Sequence, residues 1–263
     1  MTGYERRQSL IDLLHRQPGM SVTELAIALE VSEGTIRNDL NALEKENRVK
    51  RVHGGAVLTD QIQFQDNSFL RRFKQNSAAK RAIASRAAEL INDGDSILLD
   101  ASSTVYYLAL ALSHHRKLRV LTNGFEVARQ LAQNSTNTVI LIGGVVNNDS
   151  ASVTGILSEK IIAEMHIDKA FFSCSGFSLE RGMTEVHLEE AQLKRKAIES
   201  TRQVIAMIDS SKMGKEDLTP FVLPARISYL LTDSGLSRDW VGKLTSVGIS
   251  FTICDEKLVA ADG

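Results

Sequence analysis

From Ser77 onward, short apolar runs alternate with helical patterns, and this alternation constrains the chain more than any other feature. Helical periodicity is read over residues 78–91, with Ile83, Ala87, Leu90 and Ile91 on one face, and again over 105–112, 124–132, 155–165 and 188–200. Between and after them, buried-type strands are expected at 96–99, 118–121, 138–142, 169–174, 203–208, 227–231 and 250–253. Strands alternating with helices of this length form βαβ units and a mostly parallel sheet. In such sheets ligands sit beyond the carboxyl ends of the strands, so the residues just after each strand matter most for binding.

Residues 1–58 follow another pattern. A first helix spans roughly residues 4–16, with Leu10, Leu13 and Leu14 as its apolar stripe and Pro18-Gly19 as its break. Ser21 with Glu24 three residues on has the spacing of a capping box, which starts a second helix burying Leu25 and Leu29. Ser32 caps a third helix whose buried face is Ile36, Leu40 and Leu43. Two short helices, a tight turn at Glu30-Val31 and a third helix with a polar outer face describe a helix-turn-helix. Val49–Val52 and 56–58, around Gly54-Gly55, read as a small hairpin, or wing, and Asn47 as the residue that ends the third helix. Residues 59–76 are polar and aperiodic, and are read as a linker between residues 1–58 and an α/β domain at 77–263. The expected fold is therefore α/β: a small winged helix-turn-helix followed by a mostly parallel-sheet domain.

The outer face of the third helix has the chemistry for reading DNA. Arg37 can chelate a guanine edge, and Asn38 or Asn41 can bond adenine in the major groove. Ser32, Thr35, Lys50, Arg51, His53 and Gly54 complete the candidate DNA surface, since phosphate contacts come from hydroxyls, cations and backbone of a wing. Arg6-Arg7, Arg71-Arg72 with Lys74, and Lys80-Arg81 are further basic segments that can supplement it. Residues 1–58 nevertheless hold eight Lys/Arg against eight Asp/Glu, so the same pattern also suits a protein-interaction module.

Charge and cysteine usage narrow the remaining classes. The whole chain has 31 Lys+Arg and 32 Asp+Glu, so any nucleic-acid surface must be local. Cys174 and Cys254 are far apart in apolar contexts, which argues against a disulfide scaffold and fits a cytoplasmic protein. There is no signal-peptide pattern, and no apolar run approaches the roughly 20 residues needed to span a bilayer, so no membrane partner is expected. His114, His115, His166 and His187 lack metal-ligand spacing with the cysteines, so neither a metal nor a cofactor is expected.

Val31-Ser32-Glu33-Gly34-Thr35-Ile36-Arg37-Asn38-Asp39-Leu40, then Lys50-Arg51-Val52-His53-Gly54-Gly55-Ala56, resembles the N-terminal signature of DeoR-type bacterial transcription regulators. Further matches follow in order: Asp100 to Thr104, Leu121-Thr122-Asn123, Gly143-Gly144, Gly155, Ser175-Gly176-Phe177, Gly182-Met183-Thr184 and Asp209 to Lys212. The resemblance implies a transcription regulator, usually a repressor, modulated by a phosphorylated sugar. It departs at Asn38, where a second basic residue is common, at Ser102, which precedes Ser103-Thr104 where glycine commonly precedes Thr-Thr, and at Val145 to Asn148, where a basic residue commonly follows the glycine pair. The C-terminal domain is also similar to the ribose-5-phosphate isomerase/CoA-transferase type of fold.

The effector pocket is expected from the post-strand loops. Asp100, Ser102, Ser103 and Thr104 open a helix, where backbone N–H groups and hydroxyls favour an anion; equally, Ser102 is only a cap and Asp100 only bonds the turn. Asp209 and Lys212 follow another strand, and Lys212 is read as a charge for a phosphate or as a solvated surface residue. Thr122 and Asn123, Gly143 and Gly144, Ser175, Gly176 and Glu185 are further candidates, each with a plain turn or surface role as its alternative. The helix over 188–200, with Glu190 and Lys194 at i,i+4, reads most simply as a solvated face.

Three functions compete. The first is a DNA-binding regulator gated by a sugar phosphate and working as a homodimer or higher even oligomer on double-stranded operator DNA. The second is an isomerase-like enzyme using Asp100, Asp209, Glu185 and Lys212; against it, the loop 173–185 lacks paired aspartates. The third, motivated by the missing basic residue after Gly144, is a regulator that acts without an effector.

Overall fold

The computed structural model describes residues 2–16, 20–46, 48–52, 55–58 and 68–255. They belong to two compact units, residues 1–71 and 72–263.

In the first unit, α1 (Gly3–Arg16), α2 (Val22–Ala28) and α3 (Glu33–Lys45) precede a hairpin of β1 (Val49–Val52) and β2 (Gly55–Leu58). The capping box at α2 is present: Ser21 Oγ accepts the Glu24 N–H and Glu24 reaches back to the Ser21 N–H. Ser32 caps α3 through the Thr35 N–H. The expected stripes meet in one core, with Leu10, Leu14, Leu25, Ile36, Leu40, Leu43, Val49, Ala56 and Leu58 all buried; Leu29, expected in it, is only partly buried at its edge. Fully burying such a side chain contributes about 1.5–3 kcal/mol, so this small unit depends on nearly every one of them. A bridge between Ser21 and Gly55 ties the hairpin to the start of α2.

A helix, α4 (Ser68–Lys74), lies in the stretch 59–76 read as a linker, while 59–67 fall outside the described residues. At seven residues it is too short to show a convincing repeat. It ends at a corner where Asn76 takes a left-handed conformation (φ +50°) before α5 (Ser77–Ala88) begins.

The second unit continues with β3 (Ser96–Leu99), α6 (Ser103–Ala111), β4 (Arg119–Thr122), α7 (Phe125–Leu131), β5 (Thr138–Leu141), β6 (Val145–Asn147), β7 (Ser152–Thr154), α8 (Ile156–Ala163) and β8 (Ile167–Phe172). It is completed by β9 (Gly176–Ser178), β10 (Gly182–Glu185), α9 (Leu188–Glu199), β11 (Thr201–Met207), β12 (Thr219–Val222), β13 (Tyr229–Asp233), α10 (Arg238–Ser246) and β14 (Phe251–Cys254). Seven strands form one parallel sheet in the order β14-β13-β11-β8-β3-β4-β5. The inner strands are buried on both faces, as in parallel sheets generally, while the edge strand β5 is largely exposed. Alternate residues feed opposite cores: Leu98, Leu121, Ala170, Phe172, Val204 and Leu230 on one side, Ile97, Leu99, Val120, Phe171, Ile205 and Leu231 on the other. Helices α8, α9 and α10 contribute to the first core and α5, α6 and α7 to the second.

Two small antiparallel pieces were not legible in the apolar runs, a β6–β7 hairpin and a three-stranded sheet β12-β10-β9. Their strands have three or four residues. From β3 the chain moves outward through β4 and β5, then returns to place β8 on the other side of β3. The reversal leaves a crevice beyond the carboxyl ends of β3 and β8, the place where open α/β sheets bind ligands.

Candidate functional site

The first unit presents its candidate DNA surface on α3 and the hairpin. Gly34, Arg37, Asn38 and Asn41 are exposed, opposite Ile36, Leu40 and Leu43. Arg37 Nη2 lies 2.7 Å from Glu33 Oε2, a half-exposed i,i+4 pair of the kind that yields readily to a stronger acceptor. Asn41 has a role not foreseen: its Oδ1 accepts from Arg51 Nη1 at 2.8 Å, and the Arg51 N–H donates to Glu44 Oε1. Those two bonds lock the hairpin onto α3, so Asn41 and Arg51 act as a unit. Thr35 Oγ1 sits 2.9 Å from Ser32 Oγ at the start of the helix, and Lys50 is exposed on β1. His53, Gly54 and Asn47 lie outside the described residues.

Two of the supplementary basic segments do other work. Arg6 Nε donates to Asp39 Oδ2 at 2.5 Å, and Arg7 Nη1 lies 3.7 Å from Asp39 Oδ1. Asp39 is buried, so these arginines neutralise an acid in the unit's interior rather than extend a basic surface. Lys80 is only 4% exposed and belongs to the second unit's cavity.

That cavity, of about 150 Å³, lies in the crevice that the strand order creates. It collects the loops after three adjacent strands: Ser102, Ser103 and Thr104 after β3, Ser173 and Cys174 after β8, and Asp209, Ser211 and Lys212 after β11. Glu185, Lys215 and the corner residues Arg72, Gln75, Asn76 and Lys80 complete the wall. Of the expected effector residues, Ser102, Ser103, Thr104, Glu185, Asp209 and Lys212 thus meet there.

The others do not line it, for reasons visible in the sheet. Thr122 and Asn123 end β4, one strand beyond β3, and turn to the β6–β7 hairpin: Asn123 Nδ2 donates to the Val153 carbonyl at 3.3 Å, and Thr122 Oγ1 accepts the Gly124 N–H. Gly143 and Gly144 follow β5, two strands away at the sheet edge. A Cβ on Gly144 would lie 2.3 Å from the Thr154 carbonyl oxygen, so the glycine serves close chain packing. Gly176 likewise passes the Lys215 carbonyl, where a Cβ would come within 2.5 Å. Ser175 donates to Glu185 Oε2 at 2.8 Å and acts through it.

Behind the cavity is a buried ionic cluster centred on Lys194 of α9. Its Nζ lies 2.9 Å from Asp100 Oδ2 and 2.5 Å from Glu185 Oε1, and donates to the Ser173 carbonyl at 2.9 Å. The reading of α9 as a solvated face is therefore corrected: Glu190 and Lys194 are both buried, with Glu190 accepting from Ser152 Oγ. Sequence spacing pairs Lys194 with Glu190, whereas folding brings carboxylates from 94 and 9 residues away. Burial alone lowers an ammonium's pKa, but Asp100, Glu185 and Glu190 outweigh it, and that of Lys194 is raised. Asp100 is fully engaged, its Oδ1 accepting from the Ser102 N–H and its Oδ2 from the Ser173 N–H as well as Lys194. It staples the end of β3 to the end of β8. Ser102 is a helix cap, its Oγ accepting the Val105 N–H.

Facing the open space, the balance is positive. Lys80 and Lys212 meet Asp209, whose Oδ1 already accepts from Asn76 Nδ2 and Ser211 N–H. Burial, aided by Lys212 and Arg72 and opposed by Asp209, pulls the Lys80 pKa down to about 8. Cys174 also lines the space, but burial pushes its thiol pKa up, so it stays protonated and unreactive. Sequence reading missed Lys80 because a lysine beside an arginine looks like surface charge, and only the packing of α5 on α6 turns it inward.

Comparison with known proteins agrees with the two-unit description. Residues 75–234 match the family profile described as DeoR C terminal sensor domain. Residues 6–62 match that described as DeoR-like helix-turn-helix domain. The chain is 37% identical over 255 residues to the HTH-type transcriptional regulator GolR of Listeria innocua, covering 97% of this chain and 100% of that one. It is 33% identical to the lactose phosphotransferase system repressor of Streptococcus mutans, covering 87% and 91%. Among solved structures, ribose 5-phosphate isomerase of Methanocaldococcus jannaschii aligns over 53% of this chain and 55% of that one, at 15% identity and a TM-score of 0.39. That likeness is too distant to bear on activity.

Proposed function

The chain belongs to the DeoR family of helix-turn-helix transcription regulators, and from that premise we propose that it is a repressor of carbohydrate genes whose operator affinity is set by a phosphorylated sugar in the second unit. The observation that carries the proposal is the cavity beyond β3, β8 and β11, where Lys80 and Lys212 converge with the start of α6. Lysines, hydroxyls and helix N–H groups suit a phosphate, and the remaining polar wall suits sugar hydroxyls. The Streptococcus mutans relative is named as repressor of a lactose phosphotransferase system; control of carbohydrate genes is carried over here from that name.

The head binds double-stranded DNA through α3, with Arg37 and Asn38 facing base edges and the hairpin holding phosphates. Ser32, Thr35, Lys50 and the Arg51–Asn41 pair are assigned to backbone positioning. Two heads are brought to a two-fold operator by self-association of the chain. A ligand alters DNA affinity only by binding the DNA-competent and incompetent forms unequally.

The enzyme reading is disfavoured by the cluster at Lys194. Of the carboxylates that reading would use, Asp100 and Glu185 are each bonded to that ammonium, and Asp209 Oδ1 accepts from Asn76 Nδ2 and the Ser211 N–H, so none stands ready as a proton acceptor. The deciding experiment is fluorescence anisotropy on a duplex from the region upstream of the protein's own gene, at fixed salt, with a panel of phosphorylated sugars. Sequence-dependent binding shifted by one sugar phosphate supports the proposal. Sequence-dependent binding indifferent to the whole panel would support the effector-independent alternative.

A further inference from the structure

Lys80 sits between the cavity and the corner that joins α4 to α5, and its bonds face both ways. Its ammonium has three donors, and all three meet neutral oxygens: the Arg72 carbonyl, the Gln75 carbonyl at 2.8 Å and Ser103 Oγ at 3.2 Å. Arg72 and Gln75 form the end of α4 and the turn after it; Ser103 belongs to the start of α6 on the cavity wall. The same corner is tied to the cavity a second time, through Asn76 Nδ2 to Asp209 Oδ1 at 3.0 Å and to Ser211 Oγ at 3.1 Å. Tyr107 of α6 stacks on Phe73 with ring centroids 4.7 Å apart, and its hydroxyl donates to the Phe73 carbonyl at 3.2 Å. The end of α4 is thus held by side chains that also build, or stand next to, the cavity. α4 itself runs from Ser68 to Lys74, across the boundary between the two units at residues 71 and 72.

Resting on the reading of this cavity as an anion site, we propose that Lys80 is a ligand of the anion, and that its transfer from the Arg72 and Gln75 carbonyls to a phosphate oxygen is the step that reports occupancy to α4. A charged oxygen is a stronger acceptor for an ammonium than a neutral carbonyl. The two carbonyls then lose a shared donor and turn to water, and the corner opens. Bonded to the Arg72 and Gln75 carbonyls, Lys80 holds the corner shut. Lys212, by contrast, is joined to α4 by no side-chain hydrogen bond like those of Lys80 among the described residues, and serves affinity without the coupling.

The test measures the full chain with inorganic phosphate and with ribose 5-phosphate as probes. Calorimetry reads binding, and amide hydrogen exchange reads residues 68–80. In the wild type, saturating probe is expected to speed exchange at residues 72–76 at least tenfold. Lys80→Met is expected to bind at least tenfold more weakly and to exchange quickly at the corner with or without probe. Lys212→Ala is expected to bind more weakly yet keep the exchange response once saturated.

Two results overturn the proposal while leaving the cavity reading intact: wild-type protein that binds a probe with no change at 72–76, or Lys80→Met that binds as the wild type does. Failure of the wild type to bind either probe overturns both. If Lys80→Met does not fold, the wild-type exchange response and the Lys212→Ala comparison decide.

Discussion

At Lys80 the depressed pKa of about 8 makes the cavity's charge depend on pH within an accessible range. Above that value the folded state holds fewer protons than the unfolded one, so native stability rises with pH from about 8 towards the ordinary lysine value. Anion affinity moves the opposite way, because the neutral amine gives up its charge-assisted bond. Phosphate affinity measured by calorimetry from pH 7 to 9.5 is therefore expected to fall by about tenfold or more. A flat profile would show that Lys80 does not meet the anion. On the other unit, Arg37→Ala is expected to weaken operator binding by about 1–3 kcal/mol and relax preference at one base pair. Anisotropy with single-base operator variants checks it; equal loss on every variant would move Arg37 from base reading to phosphate contact. The bond to Glu33 does not argue against base reading, since an exposed pair of this kind is worth little.

At the scale of elements, α9 is joined to the sheet by charge as well as by its apolar face. Ala191, Leu193, Ala197 and Ile198 are buried on it, and Lys194 reaches the ends of β3 and β10. Replacing Lys194 by methionine keeps the packing volume but leaves Asp100 and Glu185 buried without their counter-charge. Losing one partner of such a group costs about 3–5 kcal/mol. Urea unfolding of Lys194→Met is expected to show a loss of that size in the second unit. A loss below about 1 kcal/mol would mean that the carboxylates are protonated or hydrated at little cost. The hairpin on α3 makes a contrasting case, since Arg51→Ala removes only an exposed anchor. It is expected to weaken DNA binding with little change in melting temperature, as read by anisotropy and calorimetry together.

For the whole molecule, the two compact units predict separable functions. A fragment of residues 68–263 retains α4, the corner and all three cavity loops. It is expected to fold, to bind phosphate within about twofold of the full chain, and to bind no DNA. Loss of phosphate binding in a fragment that still shows a cooperative melt would place part of the anion site in the N-terminal unit. For the full chain, the logarithm of operator affinity is expected to fall linearly against the logarithm of salt concentration, with one phosphate contact contributing a slope of about −0.9. Removing Lys50 by alanine is expected to reduce that slope by about one contact.

The boundary between what the residues state by themselves and what only packing decides follows the range of the forces involved. Periodicity and capping act within a few residues. The helix-turn-helix, its capping box, the Ile36–Leu40–Leu43 face and the βαβ alternation were therefore readable from the chain alone. The candidates after β3 and β11 were found for the same reason: a strand followed by Asp-Ser-Ser-Lys or Asp-Ala-Ser-Ser is a local signature. Strand order is not local. It puts β8, rather than β4, beside β3 on the cavity side, and so brings in Ser173 and Cys174 and leaves out Thr122, Asn123, Gly143 and Gly144. Nor can spacing say which way a charged side chain faces. Lys80, Lys194 and Arg6 look like surface charge in the sequence; Lys194 and Arg6 find their oxygens only when distant elements close around them, and Lys80 meets Ser103 of α6 as well as two carbonyls of the nearby corner.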